Sequence, residues 1–267
     1  MDKIIFHRIA FHPTFRCTLN CELCCSFVPY LEKPAPYYAY DELTSWISRF
    51  FEVVDYVDIF SLTGGEPLLY KNLADIIDFV GQYRGQIGRI DLITNGTLLP
   101  NNQTLLALKK IGARILLDDY GADLSPKASE VEKVCAACQV NCNRRCYHKC
   151  TDLELYHGGW VDFVHFSEVP LSDPREKFGK CTQTGELRCN PVIDGKIYIC
   201  TPHAFLCRSK KIEDNPGLYI DLSDESTPVK IMREKAADFL SINALPSCAF
   251  CNGWLPNSRR VVPARQI

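Results

Sequence analysis

The chain predicts an α/β fold built on a parallel sheet, open or barrel-like, with a smaller C-terminal annex. Three observations predict it. Strand-like and helix-like segments alternate through the first half, the alternation breaks near residue 165, and the unusual loops all fall at strand ends. The 267 residues, 46% of them hydrophobic, suffice for one large domain or a domain plus an annex.

Residues 3–11 are apolar and β-rich, and a cysteine-bearing loop follows at once. Residues 41–52 have helical periodicity, with Leu43, Trp46, Ile47 and Phe50 on one face. Residues 57–62 form a short apolar run, and 72–83 a helix striped by Leu73, Ile76, Ile77 and Val80. A strand at 89–94 ends in Asn95-Gly96, a helix covers 103–111, and a strand at 114–117 ends in Asp118-Asp119. Ser125-Pro126 opens a further helix, with serine as cap and proline in the first turn. In such folds ligands bind at the C-terminal ends of the strands. Beyond residue 165, the proline-bearing, charged stretch 173–180 reads as a linker. Residues 188–200 read as a hairpin turning at Asp194-Gly195, and 230–240 as a helix.

The formal net charge of −2 gives no basic excess for nucleic acid. His7 and Arg8 interrupt the first apolar stretch, so it does not read as a signal peptide, and no 18-residue apolar run suggests a membrane span. A cytoplasmic protein is the expectation. In that setting fifteen cysteines point to metal rather than disulfides.

Cys17, Cys21 and Cys24 form C-x3-C-x2-C, three thiols within eight residues. Structural zinc takes four protein ligands, and an ordinary four-iron cluster takes four thiolates. Three on one loop leave one metal position open for chemistry. After the next strand comes Gly64-Gly65-Glu66-Pro67, where glycines admit close backbone approach and the carboxylate can accept from an ammonium.

Together these resemble the cluster loop and GGE motif of the radical S-adenosylmethionine (SAM) enzymes, although Leu23 stands where the family usually has an aromatic residue. The resemblance covers roughly residues 3–140. It implies a partial (β/α)6 TIM-like barrel whose last strands fall between 140 and 170. It implies that Cys17, Cys21 and Cys24 hold a 4Fe-4S cluster, and that SAM completes the cluster through its amino and carboxylate groups. The reduced cluster then cleaves SAM to a 5′-deoxyadenosyl radical that abstracts hydrogen from substrate. Gly64, Gly65 and Glu66 would hold the SAM amino group. Asn95 would belong to the same site, with a plain turn as its alternative, and Asp118 would meet the ribose, with helix capping as its alternative. A reductant such as flavodoxin or ferredoxin is implied.

From Cys181 to Gly195 there are thirteen intervening residues, and from Gly195 to Cys200 four. This resembles the opening of the SPASM and twitch extensions, and Cys248 and Cys251 would complete four ligands for one auxiliary 4Fe-4S cluster. Cys189 rivals Cys181 as the first ligand, and a small zinc ribbon is the alternative for the whole set. The expected division is residues 1–170 as radical SAM core and 171–267 as linker and twitch-like, hairpin-plus-helix domain. Cys135, Cys138, Cys142, Cys146 and Cys150 would form one stripe if helical, although Asn141, Asn143, Arg144 and Arg145 oppose a long helix. They read as a further metal site or as buried small apolar residues.

The reaction expected is hydrogen abstraction from a small polar substrate of sugar or cyclitol type, with net oxidation. The first strand begins near residue 4, which disfavours an N-terminal peptide-binding module. Epimerisation is the rival, with Cys189 or Cys207 as hydrogen donor, and Cys25 shares that uncertainty. A ribosomal-peptide-modifying enzyme is a third reading, and a non-catalytic zinc or iron–sulfur protein a fourth. Tyr30, Tyr120 and Trp160 are candidate pocket aromatics.

Overall fold

The computed structural model describes residues 3–148 and 159–267. Its frame is a run of four β/α repeats and a fifth strand. Strand β1 (Ile5–Thr14) is followed by α1 (Tyr40–Val53), β2 (Tyr56–Gly64), α2 (Leu73–Gly81) and β3 (Ile87–Thr94). Then come α3 (Asn102–Ile111), β4 (Arg114–Asp119), α4 (Ala128–Cys138) and β5 (Asn141–Cys146). The five strands pair in parallel in the order β5-β4-β3-β2-β1. The local signals are ordinary. Glu42 accepts from the Ala39 amide at 2.7 Å to open α1, and the Asn101 side chain accepts from the Thr104 amide at 2.8 Å to open α3.

The rest of the chain extends this sheet at its other edge. After β6 (Trp160–Val161) and α5 (Pro174–Lys180), β7 (Cys189–Ile193) joins β1 in parallel, Arg8 opposite Cys189. Strand β8 (Lys196–Tyr198) turns back antiparallel. Asp194 and Gly195 at φ 51° and 76° form the turn, both central residues left-handed as a type I′ hairpin requires. Helix α6 (Thr201–Arg208), β9 (Tyr219–Asp221) and α7 (Val229–Leu240) follow, and β10 (Arg260–Val261) pairs with β6 apart from the main sheet. The fold is a mostly parallel α/β sheet of partial TIM-like type. Its sixth parallel strand is β7, beside β1, rather than one next to β5. The sheet is therefore continuous across residue 170.

The core lies between the outer face of the sheet and the helices. Phe6, Phe11, Phe50 and Phe60 are fully buried there. Phe50 of α1 meets Phe6 and Phe11 of β1 edge-on at 5.6 and 6.1 Å, and Phe6 stacks on Phe239 of α7 at 6.1 Å.

Two local expectations change, and a third, that the middle cysteines share no one long helix, holds. The stretch expected as a linker is α5: the Asp173 side chain caps the Glu176 amide at 2.9 Å, Pro174 fills the first turn, and Glu176 pairs with Lys180 at 2.7 Å. Charge density there reflects an exposed helix face. Ser125 does not cap α4; its hydroxyl donates to the Asn95 carbonyl at 2.6 Å and accepts from the Tyr120 amide at 2.9 Å, tying two strand-end loops together. The middle cysteines make no single helical stripe. Cys135 and Cys138 end α4, Gln139 breaks it at φ 59°, and Cys142 and Cys146 lie on β5. Cys150 lies outside the described residues.

Phe50→Ala is expected to lower stability by about 3–5 kcal/mol, read as a shift in the denaturant midpoint, because it empties the contact between α1 and β1.

Candidate metal centres and ligand cavity

Cys17, Cys21 and Cys24 follow β1 on one loop, with Cys21 buried and the other two partly so. Burial pushes the Cys21 thiol up to about 11, with Cys17 and Cys25 adding to the effect, and it pushes the Cys17 and Cys24 thiols up as well. Left to themselves the three would stay protonated, so a metal must displace the protons. N–H donors already surround the sulfurs. The Leu19 amide lies 3.4 Å from Cys17 Sγ, Asn95 Nδ2 3.6 Å from the same atom, and Gln266 Nε2 3.3 Å from Cys21 Sγ. Gln266 was not legible in the sequence: the segment around it reaches the loop from 245 residues away. There the Glu22 amide donates to the Arg265 carbonyl at 2.7 Å and the Ile267 amide to the Asn20 carbonyl at 3.0 Å. Tyr30 is exposed and donates to the Glu22 carbonyl at 2.6 Å, bracing this loop rather than lining a pocket.

The Gly-Gly-Glu segment sits against that loop. A Cβ on Gly64 would fall 2.2 Å from the Thr14 carbonyl oxygen, and one on Gly65 2.2 Å from that of Arg16. The glycines therefore admit the backbone of the cysteine loop, where the sequence suggested a ligand. The Gly65 amide donates to Thr14 at 2.9 Å and the Glu66 amide to Arg16 at 2.8 Å. The Glu66 carboxylate is fully buried. It accepts from the Leu68 amide at 3.0 Å, the Thr94 hydroxyl at 2.9 Å and the Asn95 amide at 2.8 Å. Three donors leave one acceptor position, suited to an ammonium. Burial nevertheless raises its pKa to about 7, against the three hydrogen bonds that lower it. Asn95 joins the pieces, donating from Nδ2 to Thr18 Oγ1 at 3.1 Å while its backbone amide holds Glu66.

Asp118 is the penultimate residue of β4 and does not cap a helix. It pairs with Arg145 at 2.5 Å, and burial raises its carboxyl while Arg145 opposes the shift. Its charge is felt at Cys25 and Glu66. Neighbouring Asp119 is held by Arg144 at 2.7 Å and by His148 at 2.8 Å, with Cys146 in the same cluster. Arg144 already compensates that carboxylate. Tyr120 and Trp160 meet edge-on at 5.6 Å, and Trp160 lines a small hollow with Cys25, Tyr147 and Phe163.

The C-terminal cysteines also converge. Cys181, Cys200, Cys248 and Cys251 line one pocket, together with Phe163, Gln183 and Pro202. Burial raises Cys248 to about 12, Cys251 to about 11, and Cys200 strongly. The Trp254 amide donates to Cys181 Sγ and the Gly253 amide to Cys251 Sγ, each at 3.3 Å. Among the described residues no three of these thiols lie within 4.8 Å of one another. Tetrahedral zinc at 2.3 Å per sulfur would draw thiolates to about 3.8 Å, closer than any three of these thiols stand.

Cys189 is not in that pocket. It lines a cavity of about 190 Å³ against the inner face of the sheet, with Arg8, Ala10 and His12 of β1, Ser61 and Thr63 of β2, and Cys25 of the cluster loop. Burial raises Cys189 to about 11. Cys207 lies elsewhere, on the buried face of α6 with His203 Nε2 at 3.8 Å. Motif spacing does not reveal Arg8, His12, Ser61 or Thr63. The available signal was the period of two: polar residues alternate there with fully buried Ile9, Phe11, Phe60 and Leu62. A larger hollow of about 430 Å³ opens beside Ile5, His7 and Asp58, at the start of β1. None of the candidate ligands lines it, and it lies at the wrong end of the strands for ligand chemistry.

The sequence model of the radical SAM superfamily matches residues 11–121, which hold the cysteine loop, the Gly-Gly-Glu segment and Asp118. That segment is similar to the radical SAM superfamily. Radical SAM enzymes carry a 4Fe-4S cluster and bind SAM, and the three protonated thiols, their N–H donors and the open acceptor on Glu66 fit both. The chain is also similar to "GTP 3′,8-cyclase" of Aquifex aeolicus (strain VF5), 34% identical over 107 residues. That match covers 38% of this chain and 31% of the relative, so the chain spans about a third of its length. Its fold resembles that of BtrN in complex with AdoMet and 2-DOIA, with a TM-score of 0.59, 16% identity, and 100% and 98% of the two chains covered. Native anSMEcpe with bound AdoMet gives 0.56 at 13% identity, covering 95% and 93%. At these identities the likeness concerns the fold.

Two outcomes are expected. Between about pH 4.5 and 7 the native Glu66 carboxyl holds its proton more tightly than the unfolded one. The native state thus binds more protons there, and the Glu66 contribution to stability falls as pH rises through that window. Thermal unfolding of metal-free Glu66→Gln should show a flatter pH profile over the same range. Gly65→Ala should destabilise by about 2–4 kcal/mol and lower iron uptake in the same preparation.

Proposed function

We propose that the chain oxidises a small polar substrate, of sugar or cyclitol type, by two electrons. Residues 1–170 act as the radical SAM core, and residues 171–267 carry an auxiliary 4Fe-4S cluster on Cys181, Cys200, Cys248 and Cys251. One observation carries the reading. The inner cavity is lined at one side by Cys25 of the first metal loop, and it shares Phe163, Gln183 and Pro202 with the four-thiol pocket. A substrate there lies between the two metal loops. When bound, SAM and its cluster supply hydrogen-atom abstraction from carbon, and the second cluster supplies an acceptor for the remaining electron.

The protein's own residues do the rest. Cys17, Cys21 and Cys24 hold the first cluster and leave its fourth position for SAM. Glu66 accepts from the SAM ammonium, Asn95 fixes Glu66 against the cysteine loop, and Asp118 offers a carboxylate at the end of β4. Phe163 and Pro202 line both the cavity and the four-thiol pocket. The size also supports a small substrate: an apolar cavity of about 150 Å³ holds a single benzene ring, so about 190 Å³ suits one ring rather than a peptide. Epimerisation is the second reading, favoured by Cys189 and Cys25, which face this cavity and hold neither cluster in this assignment.

Reconstituted protein should bind about eight irons, as two four-iron clusters require. Cys24→Ala should abolish 5′-deoxyadenosine formation. Cys181→Ala should lose about four irons yet still cleave SAM, whereas Cys189→Ala should keep all of them. Oxidation predicts a product two mass units lighter with no deuterium gained from deuterated water. Deuterium at carbon, abolished in Cys189→Ala, would establish epimerisation instead.

A further inference from the structure

Arg8 presents an unusual electrostatic situation. It sits in the middle of β1, between Ile59 of β2 and Cys189 of β7, on the strand face that lines the 190 Å³ cavity. Its Nε is buried without a hydrogen-bond partner, and among the described residues no carboxylate pairs with its guanidinium. Every other arginine drawn into this sheet is matched. Arg114 and Arg89 share Asp91, Arg144 holds Asp119 and Glu132, and Arg145 holds Asp118. The neighbouring groups do not supply the missing charge. Cys189 stays protonated because burial outweighs the influence of Arg8, and His12 is held neutral, its pKa lowered by burial to about 4.

A second orphan faces the same space. Ser61 Oγ is buried and without a partner, and it too lines the cavity, with Thr63 two residues further along the same face of β2. A buried guanidinium N–H without a partner and a buried hydroxyl without one are each costly, and an anion in the cavity would satisfy both. A guanidinium offers paired donors matched to a carboxylate or a phosphate. Two adjacent orphans on neighbouring strands, opening into one cavity, describe a binding site whose ligand is missing its negative end.

We propose that Arg8 and Ser61 form an anion-recognition subsite, and that the substrate is a ring-sized hydroxylated molecule bearing a carboxylate or a phosphate. This rests on the cavity being the substrate site of the proposed oxidation, and it adds the charge that reading lacks. The anion docks on Arg8 at the floor of the cavity, and the hydroxylated ring extends toward Cys25 and the first metal loop. Thr63 and Gln183 lie along that path to meet ring hydroxyls.

The test is isothermal titration of the reconstituted, SAM-loaded protein with matched probes: glucose as the neutral ring, glucuronate as its carboxylate and glucose 6-phosphate as its phosphate. One or both anionic probes should bind at least tenfold tighter than glucose, and which one does so identifies the anion. Arg8→Met should remove that advantage, Arg8→Lys should restore part of it, and Ser61→Ala should weaken it several-fold. Loss of one charged hydrogen-bonding partner is worth roughly tenfold or more. SAM binding and cleavage should be unchanged in all three variants, which also shows that they fold. Equal binding of the three probes, no binding of any, or an anionic advantage that survives Arg8→Met would each overturn the subsite. If the wild-type protein fails to cleave SAM while the Arg8-dependent preference persists, the subsite stands and the proposed reaction falls.

Discussion

The site depends on how closely the ends of β1 and β2 approach. A Cβ at Gly64 or Gly65 would lie 2.2 Å from a carbonyl oxygen of the cysteine loop. Only glycine allows the Gly65 and Glu66 amides to donate to Thr14 and Arg16. That contact fixes where the loop leaves the sheet and where Glu66 enters the protein. Asn95 then bonds Glu66 through its backbone and the loop through its side chain. Three strand ends are thus joined in one hydrogen-bonded unit, and buried thiols and a buried carboxylate are both held where their charges would be unfavourable without a ligand.

This arrangement explains why a site of so many protonated or half-satisfied groups is stable. The Cys17 and Cys21 sulfurs are offered N–H donors before any metal arrives, and Glu66 keeps three donors and one free acceptor position. The four C-terminal thiols follow the same logic, with the Gly253 and Trp254 amides directed at sulfur. The cavity beside Cys25 holds two unsatisfied polar atoms, Arg8 Nε and Ser61 Oγ. The fold carries their cost through the phenylalanine core on the opposite face of the sheet.

Much of this was legible in the sequence because the relevant signals are local. The x3 and x2 spacings, the Gly-Gly-Glu turn, the Asp194-Gly195 hairpin and the stripes of α1 and α2 depend on neighbours a few residues apart. What escaped depends on tertiary placement. Gln266 meets Cys21 across the length of the chain, and β7 takes its place beside β1 rather than β5. Ser125 looked like a cap because it precedes a proline, yet it binds the loop after β3. The stretch after residue 173 looked like a linker because its charges are exposed, although capping at Asp173 makes it helical. Arg8 looked like an interruption of an apolar stretch and Ser61 fell within an apolar run, and only the inner wall of the sheet shows them facing one cavity.

The central claim is that two iron–sulfur sites flank one substrate cavity across the Phe163 wall. Anomalous X-ray diffraction from crystals of the reconstituted protein, recorded at the iron and zinc edges, tests it most directly. Iron is expected at both Cys17-Cys21-Cys24 and Cys181-Cys200-Cys248-Cys251, one on either side of Phe163. Zinc at the second set, or iron at the first set alone, would contradict it.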